Sequence, residues 1–96
     1  MEMANRVDRP TIKREVFGKL NAVAEPHPPL DPSSDDDEKK LLLDDLRLGP
    51  TLRRAMALPY TKISQRHGGK PISQAAALAL STVKESVDLV LKQANA

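Results

Sequence analysis

The sequence predicts an all-α fold, a small four-helix bundle with a long loop between helices 1 and 2. Three observations carry that expectation. Apolar residues recur at helical spacing near both ends of the chain, in Thr11 to Ala24 and again from Val83 to Ala94. Pro26, Pro28, Pro29 and Pro32, followed by a Ser-Asp run to Glu38, forbid continuation of the first helix and impose a loop. Thr82 and Glu85 have the spacing of a capping box, which marks the start of the last helix.

The elements follow in order. Residues 1–10 read as a flexible N-terminus and residues 11–94 as a single helical domain. In the first helix Ile12, Val16, Leu20 and Val23 share a face with Phe17 beside them, and Pro10 and Thr11 supply a start. Leu41 to Leu48 is too short and irregular to assign, and its leucines read as core plugs that fasten the loop. A second helix begins at Pro50 or Thr51 and shows Leu52, Ala55 and Met56 on one side. Pro59 disturbs it, since the residue before a proline disfavours the helical region. Tyr60, Ile63 and His67 keep helical spacing beyond that proline, which predicts a kinked or restarted helix ending at Gly68-Gly69. Pro71 restarts the chain, Ser73 to Leu80 is rich in alanine, and Val83, Val87, Val90, Leu91 and Ala94 form the stripe of the last helix. If Ser81-Thr82 were interior rather than a cap, residues 71–94 would instead be one long helix.

Ninety-six residues make one small domain, near the size at which a single core suffices. With no cysteine, neither a disulfide nor a thiolate metal site contributes. Phe17 and Tyr60 are the only aromatic residues, so stability rests on aliphatic packing. No apolar run approaches the roughly 20 residues that span a bilayer, and Met1 to Pro10 lacks the apolar core of a signal peptide. A soluble, cytoplasmic protein without a membrane partner is the expectation.

The net charge of +2 hides an asymmetry. Asp31, Asp35, Asp36, Asp37, Glu38, Asp44 and Asp45 crowd one segment, whereas every charged residue from Arg47 to Lys84 is basic. One reading is a solvated surface on which the acidic loop lies partly over the basic face. The other is a basic docking patch for an acidic partner or a phosphate.

Ser81-Thr82-Val83-Lys84-Glu85-Ser86-Val87-Asp88-Leu89-Val90 resembles the last helix of the acyl carrier protein family, which opens with Thr-Val or Thr-Ile and continues as a hydrophobic stripe. Thr11-Ile12-Lys13-Arg14-Glu15-Val16 resembles the opening of that family's first helix. Asp45-Leu46-Arg47-Leu48 is similar to the Asp-Leu-Gly-hydrophobic stretch before the family's attachment site. The resemblance spans nearly all of residues 11–93. It implies a four-helix carrier fold in which a serine within Asp-Ser-Leu bears 4′-phosphopantetheine.

At that place the chain has Gly49-Pro50-Thr51-Leu52. Leu52 fits the family's leucine, and Thr51 is the nearest hydroxyl, reached through a one-residue insertion. Thr51 is thus the candidate attachment position, but its extra methyl crowds in-line attack on the coenzyme A phosphate. A helix cap is the simpler role for it. The resemblance also implies an acidic second helix that docks on basic partners, whereas Arg53-Arg54 occupy the equivalent turn. Like charges would repel such partners by several kcal/mol. Arg47, Arg53, Arg54 and Met56 are therefore the candidate partner-binding residues, for a protein with an acidic docking surface.

Other chemistry finds little support. His27 and His67 are far apart with no cysteine nearby, and His67 reads as a cation at a helix carboxyl end. Asp35-Asp36-Asp37-Glu38 lacks the glycine and spacing of a calcium loop. Gly68-Gly69-Lys70 lacks the remainder of a phosphate loop. No serine has a histidine and carboxylate grouping for nucleophilic catalysis, so neither catalysis nor a resident metal is expected. Basic residues without interleaved aromatics argue against nucleic-acid binding. The expectation is a monomeric carrier-like domain that acts by protein–protein interaction or non-standard acyl carriage in a fatty-acid or polyketide-type pathway. No cofactor is expected, and 4′-phosphopantetheine enters only if Thr51 is modified. The alternatives are a helical dimerisation module with histone-like pairing and, third, a weak basic nucleic-acid binder.

Overall fold

Arg9 opens the first helix, α1 (Arg9–Ala24), two residues before the expected start. The reason is Asp8: its carboxylate accepts the Thr11 backbone N–H at 3.1 Å and so occupies the N-cap position. The computed structural model describes residues 6–96. The expectation of a flexible N-terminus falls partly outside the described residues, while Arg9 and Pro10 belong to α1. Val7 is held as well, because its N–H donates to Asn95 Oδ1 at 2.9 Å and its carbonyl accepts from Asn95 Nδ2 at 3.1 Å.

Ile12, Val16, Phe17 and Leu20 are fully buried on one side of α1. Val23 was expected with them and is instead 42% exposed, while Ala24 beside it packs against the core. Glu25 ends the helix in the left-handed region (φ 48°). The proline segment then turns back, and the Asn21 amide holds it by accepting from Leu30 N–H (2.8 Å) and donating to Leu30 carbonyl (3.1 Å). That pairing seats Leu30 in the core.

A short 3-10 turn, Asp36–Lys39, leads into the leucine segment. Leu42, Leu46 and Leu48 are core plugs as expected, but Leu41 and Leu43 are 40% and 50% exposed. Leu41 and Thr82 form an isolated antiparallel bridge, flanked by Leu42 N–H to Ser81 carbonyl (2.9 Å) and Val83 N–H to Lys40 carbonyl (3.0 Å).

The second helix is kinked. It comprises α2 (Pro50–Ala55) and α3 (Ala57–Arg66), with Met56 between them still in the helical region. Pro59 explains the break: it has no N–H to give the Ala55 carbonyl, and its ring crowds that carbonyl. Met56, Tyr60 and Ile63 point into the core. Leu52 and Ala55, expected on the same side as Met56, are exposed. Burial pushes the Tyr60 phenol up to about 12, so it stays neutral.

Gly68 (φ 85°) stops α3 as predicted. Gly69 has a different role. A Cβ there would meet the Gln93 carbonyl at 2.3 Å, Ala94 Cα at 2.4 Å and Ser64 Oγ at 2.6 Å. The absence of a side chain lets this turn lie directly on the last helix, where Lys70 N–H donates to the Gln93 carbonyl at 3.0 Å. Ser73 caps the short α4 (Gln74–Leu78) through Ala76 N–H at 3.1 Å.

The last helix, α5 (Val83–Ala94), has the predicted capping box, with Glu85 N–H donating to Thr82 Oγ1 at 3.1 Å and Thr82 N–H donating to Glu85 Oε1 at 3.1 Å. Thr82 is extended (φ −122°, ψ 161°), so residues 71–94 form two helices and not one long one. The bridge to Leu41 reinforces the break, since it takes backbone groups that a continuous helix would need. Val83, Val87, Val90 and Ala94 bury the α5 stripe against α1 and α3. The result is a small all-α bundle of four helices, the second kinked, with no strand beyond the single bridge among the described residues.

Candidate functional site

The segment from Leu41 to the start of α2 was expected to carry the function, and its geometry follows from its turn. Arg47 adopts the left-handed region (φ 60°), which lets Leu46 and Leu48 both enter the core while Arg47 itself stays exposed. Gly49 is the N-cap of α2 with no side-chain cap bond, and Pro50 occupies the first turn, where no N–H is required.

Thr51 is therefore not the cap. It lies two residues past that position, inside the helix, where its hydroxyl cannot close the first turn. It is exposed, and its hydroxyl has no hydrogen-bond partner among the described residues. Arg53 is half-buried, its Nε out of contact with solvent and without a partner among the described residues. Arg54 is exposed.

Met56 corrects another expectation. It is 2% exposed and belongs to the core, because at the kink it shares the inward side with Tyr60, four residues on, and Ile63. It is not available to a partner.

Among the described residues no carboxylate of the acidic segment pairs with the basic residues from Arg47 to Lys70, contrary to expectation. Glu38 is buried and turns to α1, where Arg9 Nη1 donates to its Oε2 at 3.0 Å and Lys13 Nζ lies 2.8 Å from the same oxygen. Arg9 also reaches Asp88 of α5 at 3.0 Å, and Lys13 sits over the Phe17 ring at 5.4 Å. The Arg9 hydrogen bonds, opposed by burial, hold the Glu38 carboxyl down to about 2. Glu38 in turn raises Lys13. Arg9, Lys13 and Glu38 line an open cavity of about 470 Å³ with Arg14, Ser33 and Asp35, and the charges of Arg9, Lys13, Asp35 and Glu38 are paired with one another.

The basic face is thereby left open. Among the described residues Arg47, Arg53, Arg54, Lys62 and Lys70 have no carboxylate within ion-pair distance. Arg66 is the exception, paired with Glu15 of α1 at 2.9 Å, and His67 Nε2 contacts the other Glu15 oxygen at 2.9 Å. His67 thus sits at the carboxyl end of α3, as expected, with a carboxylate beside it. No group of three or more potential metal ligands occurs among the described residues.

Leu58 and Lys62 were not anticipated as surface residues of the site. Leu58 is 63% exposed, more than any other large apolar side chain described. The signal was present in the sequence: positions 51, 54, 58 and 62 keep helical spacing if the helix continues through Pro59, and Leu58 then falls outside the Met56–Tyr60–Ile63 stripe. No protein-family model, no curated protein and no solved structure matches this chain.

Proposed function

We propose that the chain is a carrier-protein-like helical interaction domain that docks on an acidic protein surface and does not carry an acyl group on phosphopantetheine. The observation that carries this reading is the replacement of a serine and an acidic turn by Gly49-Pro50-Thr51-Leu52 and Arg53-Arg54 at the head of the second helix. The element order supports the carrier-like half of the proposal, with a long loop after α1, a kinked second helix, a short α4 and a capped α5. The open cations of the basic face support the docking half. Work within a fatty-acid or polyketide-type pathway, as a monomer in the cytoplasm, belongs to the same proposal. No described helix is long and apolar enough to cross a membrane.

The deciding experiment is the intact mass of the chain after incubation with coenzyme A and a phosphopantetheinyl transferase. An unchanged mass is expected. A pantetheine-sized gain mapped to Thr51 overturns the non-carrying reading.

One observation favours a second reading, carriage on Thr51: its hydroxyl is exposed and not engaged as a cap. Its β-branch weighs against attack on a phosphate, and the same mass measurement separates the two. The histone-like pairing alternative loses the long helix on which it was built, because Thr82 is extended.

A further inference from the structure

Thr51, Arg54, Leu58 and Lys62 follow one another at three- and four-residue spacing along the outer side of the kinked helix 50–66, and all four are exposed. Leu52, 44% exposed, lies on the same first turn. Two features mark this face. Its leading apolar group protrudes, with Leu58 at 63% exposure between Arg54 one turn before and Lys62 one turn after. The charges that the helix itself contributes are of one sign, since no aspartate or glutamate occurs between Asp45 and Glu85. Arg54 and Lys62 meet no carboxylate among the described residues, a state they share with Arg14, Lys19 and Lys92, so the protruding leucine between them is what distinguishes the face.

A protruding leucine flanked by open cations offers a partner an apolar anchor within a charged rim, and the chemistry of that partner follows from complementarity. We propose that this face docks an acidic amphipathic helix of a partner protein. The apolar stripe of that helix receives Leu58, and its flanking carboxylates meet Arg54 and Lys62. Leu58 is the anchor, and the two cations set orientation and encounter rate.

A phosphate backbone would use the cations but has no use for Leu58. The face also offers no ring on which a base could stack, because Tyr60 is buried. The chain's own acidic loop is not the occupant, because Glu38 is committed to Arg9 and Lys13 on α1. The inference rests on the interaction-domain reading above. Its failure is distinguishable from the failure of that reading, because pantetheine attachment is read by mass and docking by titration.

The test is a titration of the full-length, isotope-labelled chain, read by backbone amide shifts. The probe is a synthetic amphipathic helix of about five turns, with a leucine stripe flanked by glutamates. Saturable shifts confined to residues 51–62 are expected. Affinity should fall about tenfold or more for Leu58→Ser, and again when the probe's glutamates are replaced by glutamines. Leu58 is exposed, so Leu58→Ser should leave the melting temperature unchanged and the loss interpretable; Leu58→Lys provides a second variant with the same fold requirement.

Absence of binding, or shifts centred elsewhere, would overturn the proposal. So would binding that ignores Leu58→Ser and follows Arg54→Glu and Lys62→Glu alone. A short DNA duplex that binds more tightly than the helix, with no response to Leu58→Ser, would assign the face to nucleic acid. Self-association through residues 51–62 without the probe would assign it to a second copy. Either result would also overturn the proposal.

Discussion

Arg9 at the head of α1 grips both carboxylate oxygens of Glu38, a residue 29 positions away in the 3-10 turn. Lys13, one turn further along α1, closes on the same carboxylate at 2.8 Å. The long loop is thus held by a largely buried carboxylate with two cations. Replacing Glu38 with Gln should destabilise the chain by about 2 kcal/mol in urea unfolding. Removing one partner strands buried charge, while the one-third exposure of Arg9 lets water screen part of the loss.

The same carboxylate sets an acid limb. Its folded value is about 2 against an ordinary 4.5, so its contribution is fully present above about pH 4.5 and is lost as pH falls through about 2. Thermal melts of the native chain should therefore decline with a steep component between those limits. Glu38→Gln should be less stable at neutral pH and should lack that component. An equally steep limb in the variant would assign acid sensitivity to other carboxylates.

Two glycines should respond oppositely to alanine. Gly69→Ala places a methyl 2.3 Å from the Gln93 carbonyl and 2.4 Å from Ala94 Cα, both backbone atoms that cannot swing aside. A loss of about 2–3 kcal/mol is expected. Gly18 lies inside α1 with nothing within 4 Å of an added Cβ. Gly18→Ala should raise stability by about 0.5–1 kcal/mol through helix propensity. Melting temperatures of the two variants test the pair.

Two threonines near helix starts should also differ. Thr82 closes a full capping box, and Thr82→Ala should cost about 1 kcal/mol. Thr51 makes no cap bond, and Thr51→Ala should change stability by less than about 0.5 kcal/mol. A loss at Thr51 equal to that at Thr82 would show that its hydroxyl is structurally engaged after all.

Several locally determined features were legible in the sequence. Thr82 and Glu85 are three residues apart, and their box formed where expected. Pro59 kinks the second helix because its missing N–H affects a carbonyl only four residues back. Gly68 stops α3 because its own φ is positive. The start of α1 was misplaced for an equally local reason: Asp8, not Pro10 or Thr11, supplies the cap.

Sequence pattern misled at Met56, through the kink, and in the acidic loop, through partners distant in the chain. Met56 looked like a surface anchor beside Leu52, yet the kink turns Met56 inward and leaves Leu52 and Leu58 in solvent. The acidic loop was expected over the basic face, yet Glu38 found Arg9 and Lys13 on α1. The bridge from Leu41 to Thr82, across 41 positions, reinforces the split between α4 and α5 that the capping box already marked.

The sequence by itself determined the all-α class, the long loop, the kink at Pro59, the stop at Gly68, the Thr82 cap, and the one-signed charge from Arg47 to Lys84. These are properties of neighbouring residues and survive in any packing. Only the tertiary structure decided which carboxylates neutralise which cations, and therefore that Arg54 and Lys62 stay open around Leu58. Charge pairing and burial depend on what lies across space, and one sequence read along its length carries no record of that.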